Sequence, residues 1–181
     1  MTLDELKEYR GFDSRGWICD TCGQIIERAE DGWVQWRTRE SDLRTRRSED
    51  GESRRPMGQD LQLVHHLPAS PLVTKPGTRR SDECGCQFAW RDPEFSVSDQ
   101  PLVGFLGPNG LMRLLALISE RQLRTREVLE MIKRLHIPGY EHTRLHFDEA
   151  IARGVFEPNT APGYYCQADI EAVDAWLRER D

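Results

Sequence analysis

The chain has 181 residues, 38% of them apolar and 31% charged, and a net charge of −6. That suffices for one ordinary domain, or two small ones with modest cores, and no apolar run approaches the ~20 residues that cross a bilayer. The acidic balance argues against strong non-specific attraction to nucleic acid, because neutralised phosphates dominate that affinity, while the basic stretches 37–55 and 111–140 leave a local site open.

Residues 1–10 are predicted as a short helix, with Leu3, Leu6 and Tyr9 at helical spacing and Gly11 ending it. This start is acidic and lacks the basic and apolar blocks of a secretory signal, so the expected compartment is the cytoplasm. Residues 17–36 read as a knuckle at Cys19-Asp-Thr-Cys22-Gly23 followed by a hairpin. Asp31-Gly32 is its turn, and Trp33 or Val34 faces the core. Residues 37–60, rich in Arg, Ser, Glu and Asp, are expected to be an exposed, mobile insertion. A strand over 61–67 carries His65 and His66. Pro68, Pro71, Pro76 and Gly77 mark a loop, and Cys84-Gly85-Cys86 opens a short strand or turn. Residues 91–110 are expected to connect the two halves of the chain.

From Leu111 the apolar period becomes helical. Residues 111–118 are almost wholly apolar and predict a helix buried on all sides. Thr125 is placed as the cap of a second helix whose stripe is Val128, Leu129, Ile132 and Leu135. A third is expected over about 141–153, burying Phe147, Ala150 and Ile151 and stopping at Gly154. A fourth over 168–180 buries Ile170, Val173, Trp176 and Leu177. The predicted class is therefore α+β. A small β-rich module (1–100, insertion at 37–60) precedes a four-helix C-terminal domain (101–181).

The five cysteines are an odd number. A C-x-x-C and a C-x-C in a reducing compartment point to metal more than to a disulfide framework. In C-x-x-C-G two thiolates on one tight turn reach a single ion, and the glycine permits the left-handed conformation that closes it. A redox pair of the thioredoxin type would instead open a helix. Zinc takes four such ligands, and the candidates for the other two are His65, His66, Cys84 and Cys86. Adjacent strand residues point to opposite faces, so one histidine at most is expected to bind. The set is Cys₃His or Cys₄, with Cys19, Cys22, one histidine and Cys86 favoured. The 42 residues between Cys22 and His65 do not prevent this, since closure entropy grows slowly with loop length.

With its cysteine knuckle, hairpin and later ligand pair, the region 17–90 resembles a zinc ribbon. It departs from that pattern in lacking a second C-x-x-C. The resemblance implies structural Zn²⁺ and a role in nucleic-acid binding, in polymerase-associated factors or in protein docking. No family is suggested for the C-terminal helices.

The leading expectation is a non-enzymatic, structural-zinc protein–protein interaction module. It would meet a protein partner, or self-associate, through the helical domain, with no membrane. The alternative is a zinc-dependent nucleic-acid-binding regulator. It would use Arg44, Arg46, Arg47, Arg54, Arg55, Arg79 and Arg80, or a helix-turn-helix around Pro138-Gly139. A metal-dependent hydrolase ranks below both, with Asp82 or Glu83 as its base, because no H-E-x-x-H or comparable motif accompanies the cysteines. His142 and His146 are expected on a solvated polar face, and Cys166 as a small buried residue.

Overall fold

The computed structural model describes residues 15–41, 57–66, 69–71, 85–88, 92–158 and 163–180. The helix expected over 1–10, all seven candidate arginines, Asp82, Glu83 and Cys84 lie outside them. So does most of the expected insertion.

The fold is mixed α+β. Strand β1 (Trp17–Ile18) pairs antiparallel with β2 (Ile25–Ile26) across the knuckle. A 3₁₀ turn at Ala29–Asp31 leads into β3 (Gly32–Arg39), the central strand of a three-stranded antiparallel sheet. Its neighbours are β4 (Gln59–His65) and β5 (Phe95–Pro101). The tryptophan strand thus does not fold back on Ile25-Ile26 as the expected hairpin required. It pairs with two later strands, and the shorter hairpin forms around the knuckle alone.

Two expectations about connectors are corrected. Arg37, Thr38 and Arg39 belong to β3 and not to the insertion: Arg37 pairs with Asp60 and lies 4.4 Å over the Phe95 ring, and Thr38 is buried. The stretch expected to link the halves contains β5, whose Phe95 and Val97 alternate with polar residues. Its register runs from Trp33↔Pro101 to Arg39↔Phe95. Flanking prolines and polar content hid it, and an edge strand tolerates both.

A 3₁₀ turn at Leu102–Phe105 precedes α1 (Gly107–Ser119). The Gly107-Pro-Asn-Gly110 stretch, expected as loop, is the first turn of this helix, where a proline lacks nothing that the helix needs. Gly110 packs directly on the backbone of Phe105. A Cβ there would stand 2.0 Å from the Phe105 carbonyl carbon. Helix α1 is buried on one side only. Leu114 and Leu117 face inward, while Met112 is 65% and Leu115 43% exposed.

Helix α2 (Thr125–His136) buries Val128, Met131 and Leu135; Leu129, expected in that stripe, faces outward. Its cap position is Arg124, with Thr125 the first helical residue. The expected third helix is two: α3 (Tyr140–Thr143) and α4 (Phe147–Ala152). Helix α5 (Gln167–Arg178) starts at a capping box. Cys166, half-buried, receives the Asp169 amide, and the Asp169 carboxylate accepts the Cys166 N–H at 2.8 Å. No described helix is long and apolar enough to cross a membrane.

The first core draws on both sides of residue 100. Trp17, Cys19, Ile26, Val34 and Leu63 from the strands pack with Leu102, Phe105, Leu114, Val128, Met131 and Leu135. A second core gathers Tyr140, Phe147, Ala150, Ile170 and Val173, with Tyr165 stacked on Phe147. Cys19, Cys22 and Cys86 therefore pack within or against the larger core.

His136 is half-buried at the end of α2, and its Nε2 donates to the Phe105 carbonyl at 3.0 Å. Burial lowers its pKa below the ordinary 6.5, against the opposing pull of that carbonyl. A depressed folded-state pKa contributes stability that is present above about 6.5 and lost as pH falls through the lower value. His136→Gln keeps a donor for Phe105 but cannot titrate. Its urea midpoint is expected to fall less steeply than the wild-type midpoint below about pH 6.5. Parallel profiles would remove His136 from the acid response.

Candidate metal centre

Four donors converge at one end of the sheet. The Sγ atoms of Cys19, Cys22 and Cys86 and a ring nitrogen of His65 all lie within 4.8 Å of one another. Cys19, His65 and Cys86 are buried and Cys22 is half-buried. These four residues can hold a metal ion.

Local chemistry places each donor. The knuckle closes where Gly23 N–H donates to the Cys19 carbonyl and Cys19 N–H to that of Gln24, both at 2.9 Å. Gly23 is at φ +73° with open space where a side chain would sit, so the glycine is there for conformation and not for room. Asp20, between the two cysteines, fastens the knuckle to β4. Its N–H donates to the Leu63 carbonyl and its Oδ2 accepts the Leu63 N–H, both at 2.8 Å. Two residues beyond Leu63, on the same face of β4, is His65.

The orientation of His65 is fixed from behind. Its Nε2 lies 3.2 Å from the carbonyl of Ile25. A carbonyl only accepts, so Nε2 carries the hydrogen and Nδ1 is left with a lone pair. Nδ1 is 3.5 Å from Cys22 Sγ. Sulfur at about 2.3 Å and nitrogen at about 2.0 Å from one tetrahedral ion stand about 3.5 Å apart, so this edge already has the right length. Holding the remote ring N–H on a backbone carbonyl is the usual support for a metal-bound imidazole.

Cys86 opens the 3₁₀ turn Cys86–Phe88. Ser70, itself buried, accepts the Cys86 N–H at 3.0 Å, and its hydroxyl lies 3.1 Å from Cys86 Sγ. Thr21 of the knuckle donates to the Cys86 carbonyl at 3.2 Å. Burial pushes the Cys86 thiol up to about 12. The Ser70 hydroxyl pulls the other way, and the neighbouring Cys19 adds to the rise. Burial raises Cys22 as well. A divalent ion bound among these sulfurs would supply the opposite charge that lets the raised Cys22 and Cys86 thiols ionise. A tetrahedral ion held by all four side chains keeps no position open for substrate or attacking water.

The other candidates stand elsewhere. The His66 ring stacks on Trp33 with centroids 5.1 Å apart, away from the cluster. His142 donates from Nε2 to the Gly16 carbonyl at 3.0 Å, and Arg144 pairs with Glu141 and Asp20. Two side chains that a DNA-reading helix would present are thus engaged inside the molecule.

The sequence reading missed a buried ion network beside the knuckle. Arg134, 4% exposed, forms a two-pronged pair with Glu141, 1% exposed, at 2.7 and 2.8 Å. It also reaches Asp20 Oδ2 at 2.6 Å and the Ile18 carbonyl at 3.0 Å. Burial alone would lower the Arg134 pKa. The Glu141 hydrogen bonds and the charges of Asp20 and Glu141 outweigh it and hold the pKa above the ordinary value. With Arg144, two cations meet two anions and the network is neutral. No spacing in the sequence pairs residue 20 with residue 134.

No protein-family model matches the chain, and neither the curated proteins nor the solved structures include a significant likeness to it.

Proposed function

We propose that the chain is a non-enzymatic protein-interaction module of the cytoplasm, organised by one structural zinc ion on Cys19, Cys22, His65 and Cys86. The convergence of four protein donors carries this reading. Three thiolates and an imidazole suit zinc by softness and number, whereas magnesium and calcium want oxygen. Filling all four positions leaves an ion that stabilises but does not catalyse. The zinc-ribbon likeness over 17–90 agrees with a knuckle that supplies half the ligands and later segments that supply the rest. Metal analysis of the purified full chain tests this. One zinc per chain, with no hydrolysis of model esters or phosphates above background, is the expected result. A metal-free chain, or zinc-dependent hydrolysis, would overturn it.

For the interaction, the occupant proposed for the outer face of α1 is a second copy of the chain. Met112, Leu115, Ala116 and Ser119 are exposed at helical spacing and none carries charge, in a chain that is 31% charged. At a two-fold axis a residue meets its own copy, so a charge-free stripe there avoids like-charge contact. Sedimentation is expected to give a dimer that Leu115→Lys converts to monomer with unchanged metal content. A wild-type monomer across the accessible concentration range would remove self-association.

A further inference from the structure

The second core is joined to the knuckle by polar contacts. Ile18 N–H donates to Glu141 Oε1 at 2.9 Å, and His142 Nε2 donates to the Gly16 carbonyl at 3.0 Å. Arg144 reaches Asp20 Oδ1 at 3.4 Å, and Arg15 pairs with Asp174 of α5. On the N-terminal side every one of these partners lies between residues 15 and 20, immediately before or inside the knuckle. Hydrogen bonds exchange with water at little net gain, so a joint of this kind holds only where both sides are already in place.

Residues 16–20 are placed by a ladder of two residues per strand, Trp17↔Ile26 and Ile18↔Ile25, by burial of Trp17 and Cys19 in the first core, and by the Arg134 bond to the Ile18 carbonyl. Such a hairpin is not stable by itself. The knuckle is also fastened to β4 through Asp20. A metal ion would tie Cys19 and Cys22 to His65 and Cys86, and so fix the turn that carries Asp20 and directs the strand before it. Asp20 then stands between two ligands on one side and two arginines, Arg134 and Arg144, on the other.

We propose that metal occupancy at Cys19, Cys22, His65 and Cys86 governs the docking of helices α3, α4 and α5 on the first core. The route runs through the backbone of residues 16–18 and the carboxylate of Asp20. The inference rests on reading those four residues as a metal centre, and it makes the ion a regulator of the helical end as well as a support of the knuckle. Asp20 is a positioning residue: it donates nothing to the ion and transmits the geometry of the knuckle to Arg134 and Arg144.

Hydrogen exchange followed by mass spectrometry on the full chain tests it, with zinc bound and after removal by a chelator. Loss of zinc is expected to speed exchange about tenfold or more in residues 16–26 and in α3–α5, while β3, β5 and α1 stay within about threefold of their metal-loaded rates, as separate cooperative units do. Unchanged exchange in α3–α5 beside an opened knuckle would overturn the proposal. So would simultaneous opening of every element, which would make the ion a support of the whole fold with no selective route. In zinc-loaded Asp20→Asn protein, α3–α5 are expected to exchange nearer the metal-free rate while residues 22–26 stay protected. Wild-type exchange in that variant would remove Asp20 from the route. Zinc bound with helices uncoupled defeats this inference alone, whereas a wild-type chain that binds no metal defeats the proposed function.

Discussion

Cys19→Ser and Cys86→Ser proteins are expected to purify with less than a tenth of the wild-type metal, and His65→Ala with similarly little, whereas His66→Ala retains it. Each of the first three changes removes one of four converging donors. Serine does not ionise at neutral pH, so the substitution removes a charge as well as a soft ligand. His66→Ala removes a ring stacked on Trp33 and leaves the four donors in place. In zinc-finger peptides structural zinc contributes about 10–16 kcal/mol of apparent binding at pH 7, and that energy is folding energy. The knuckle and the helical end should therefore melt at lower temperature in the ligand variants and become insensitive to chelator. Metal analysis beside thermal unfolding in the presence and absence of chelator checks this. A Cys86→Ser protein with full metal and wild-type stability would show that the fourth donor comes from elsewhere.

Arg134→Ala is expected to destabilise the fold by about 3–5 kcal/mol, the cost of removing one partner from a buried ion pair. The residues left behind explain the size. Glu141 would stay 1% exposed with its charge opposed only by Arg144 at 3.2 Å, and the Ile18 carbonyl would lose its donor. For a chain of this length each kcal/mol moves the melting temperature by about 2–4 °C, so the fall should be roughly 6–20 °C. The double change Arg134→Met with Glu141→Leu is expected to recover part of the loss, because apolar replacement of both charges removes the desolvation cost. Full recovery is not expected, since Ile18 N–H also depends on Glu141. Chemical denaturation of both proteins measures the difference. A loss below about 1 kcal/mol for Arg134→Ala would place this pair with ordinary surface salt bridges.

Much of the candidate site was legible because its signal is local. Cys19, Cys22 and Gly23 lie within five residues, and turn chemistry alone relates them. Strand alternation limited the histidines to one of two. It did not choose between them, because that choice depends on which face of β4 meets the knuckle, and the β3–β4 register sets it through Gly32↔His65. Ser70 and the Ile25 carbonyl support their ligands across gaps of 16 and 40 residues, which no periodicity records.

The fold shows the same division. The α+β class and the burial of Phe147 and Ala150 in α4 and of Ile170 and Val173 in α5 followed from helical period and glycine stops, whereas Ile151, expected inward, is half-buried outside that core. β5 did not, since an edge strand of alternating Phe, Ser, Val and Ser between prolines looks like a connector until β3 is seen to need a neighbour. The near-continuous apolar run of α1 was read as complete burial. The structure instead exposes Met112 and Leu115, because the core covers one side of the helix and no described element covers the other.

X-ray absorption at the zinc edge on the metal-loaded full chain tests the central claim most directly. Three sulfur scatterers at about 2.3 Å and one nitrogen at about 2.0 Å are predicted, with no bound water. A shell containing oxygen, or fewer than three sulfurs, would contradict a closed site built from Cys19, Cys22, His65 and Cys86.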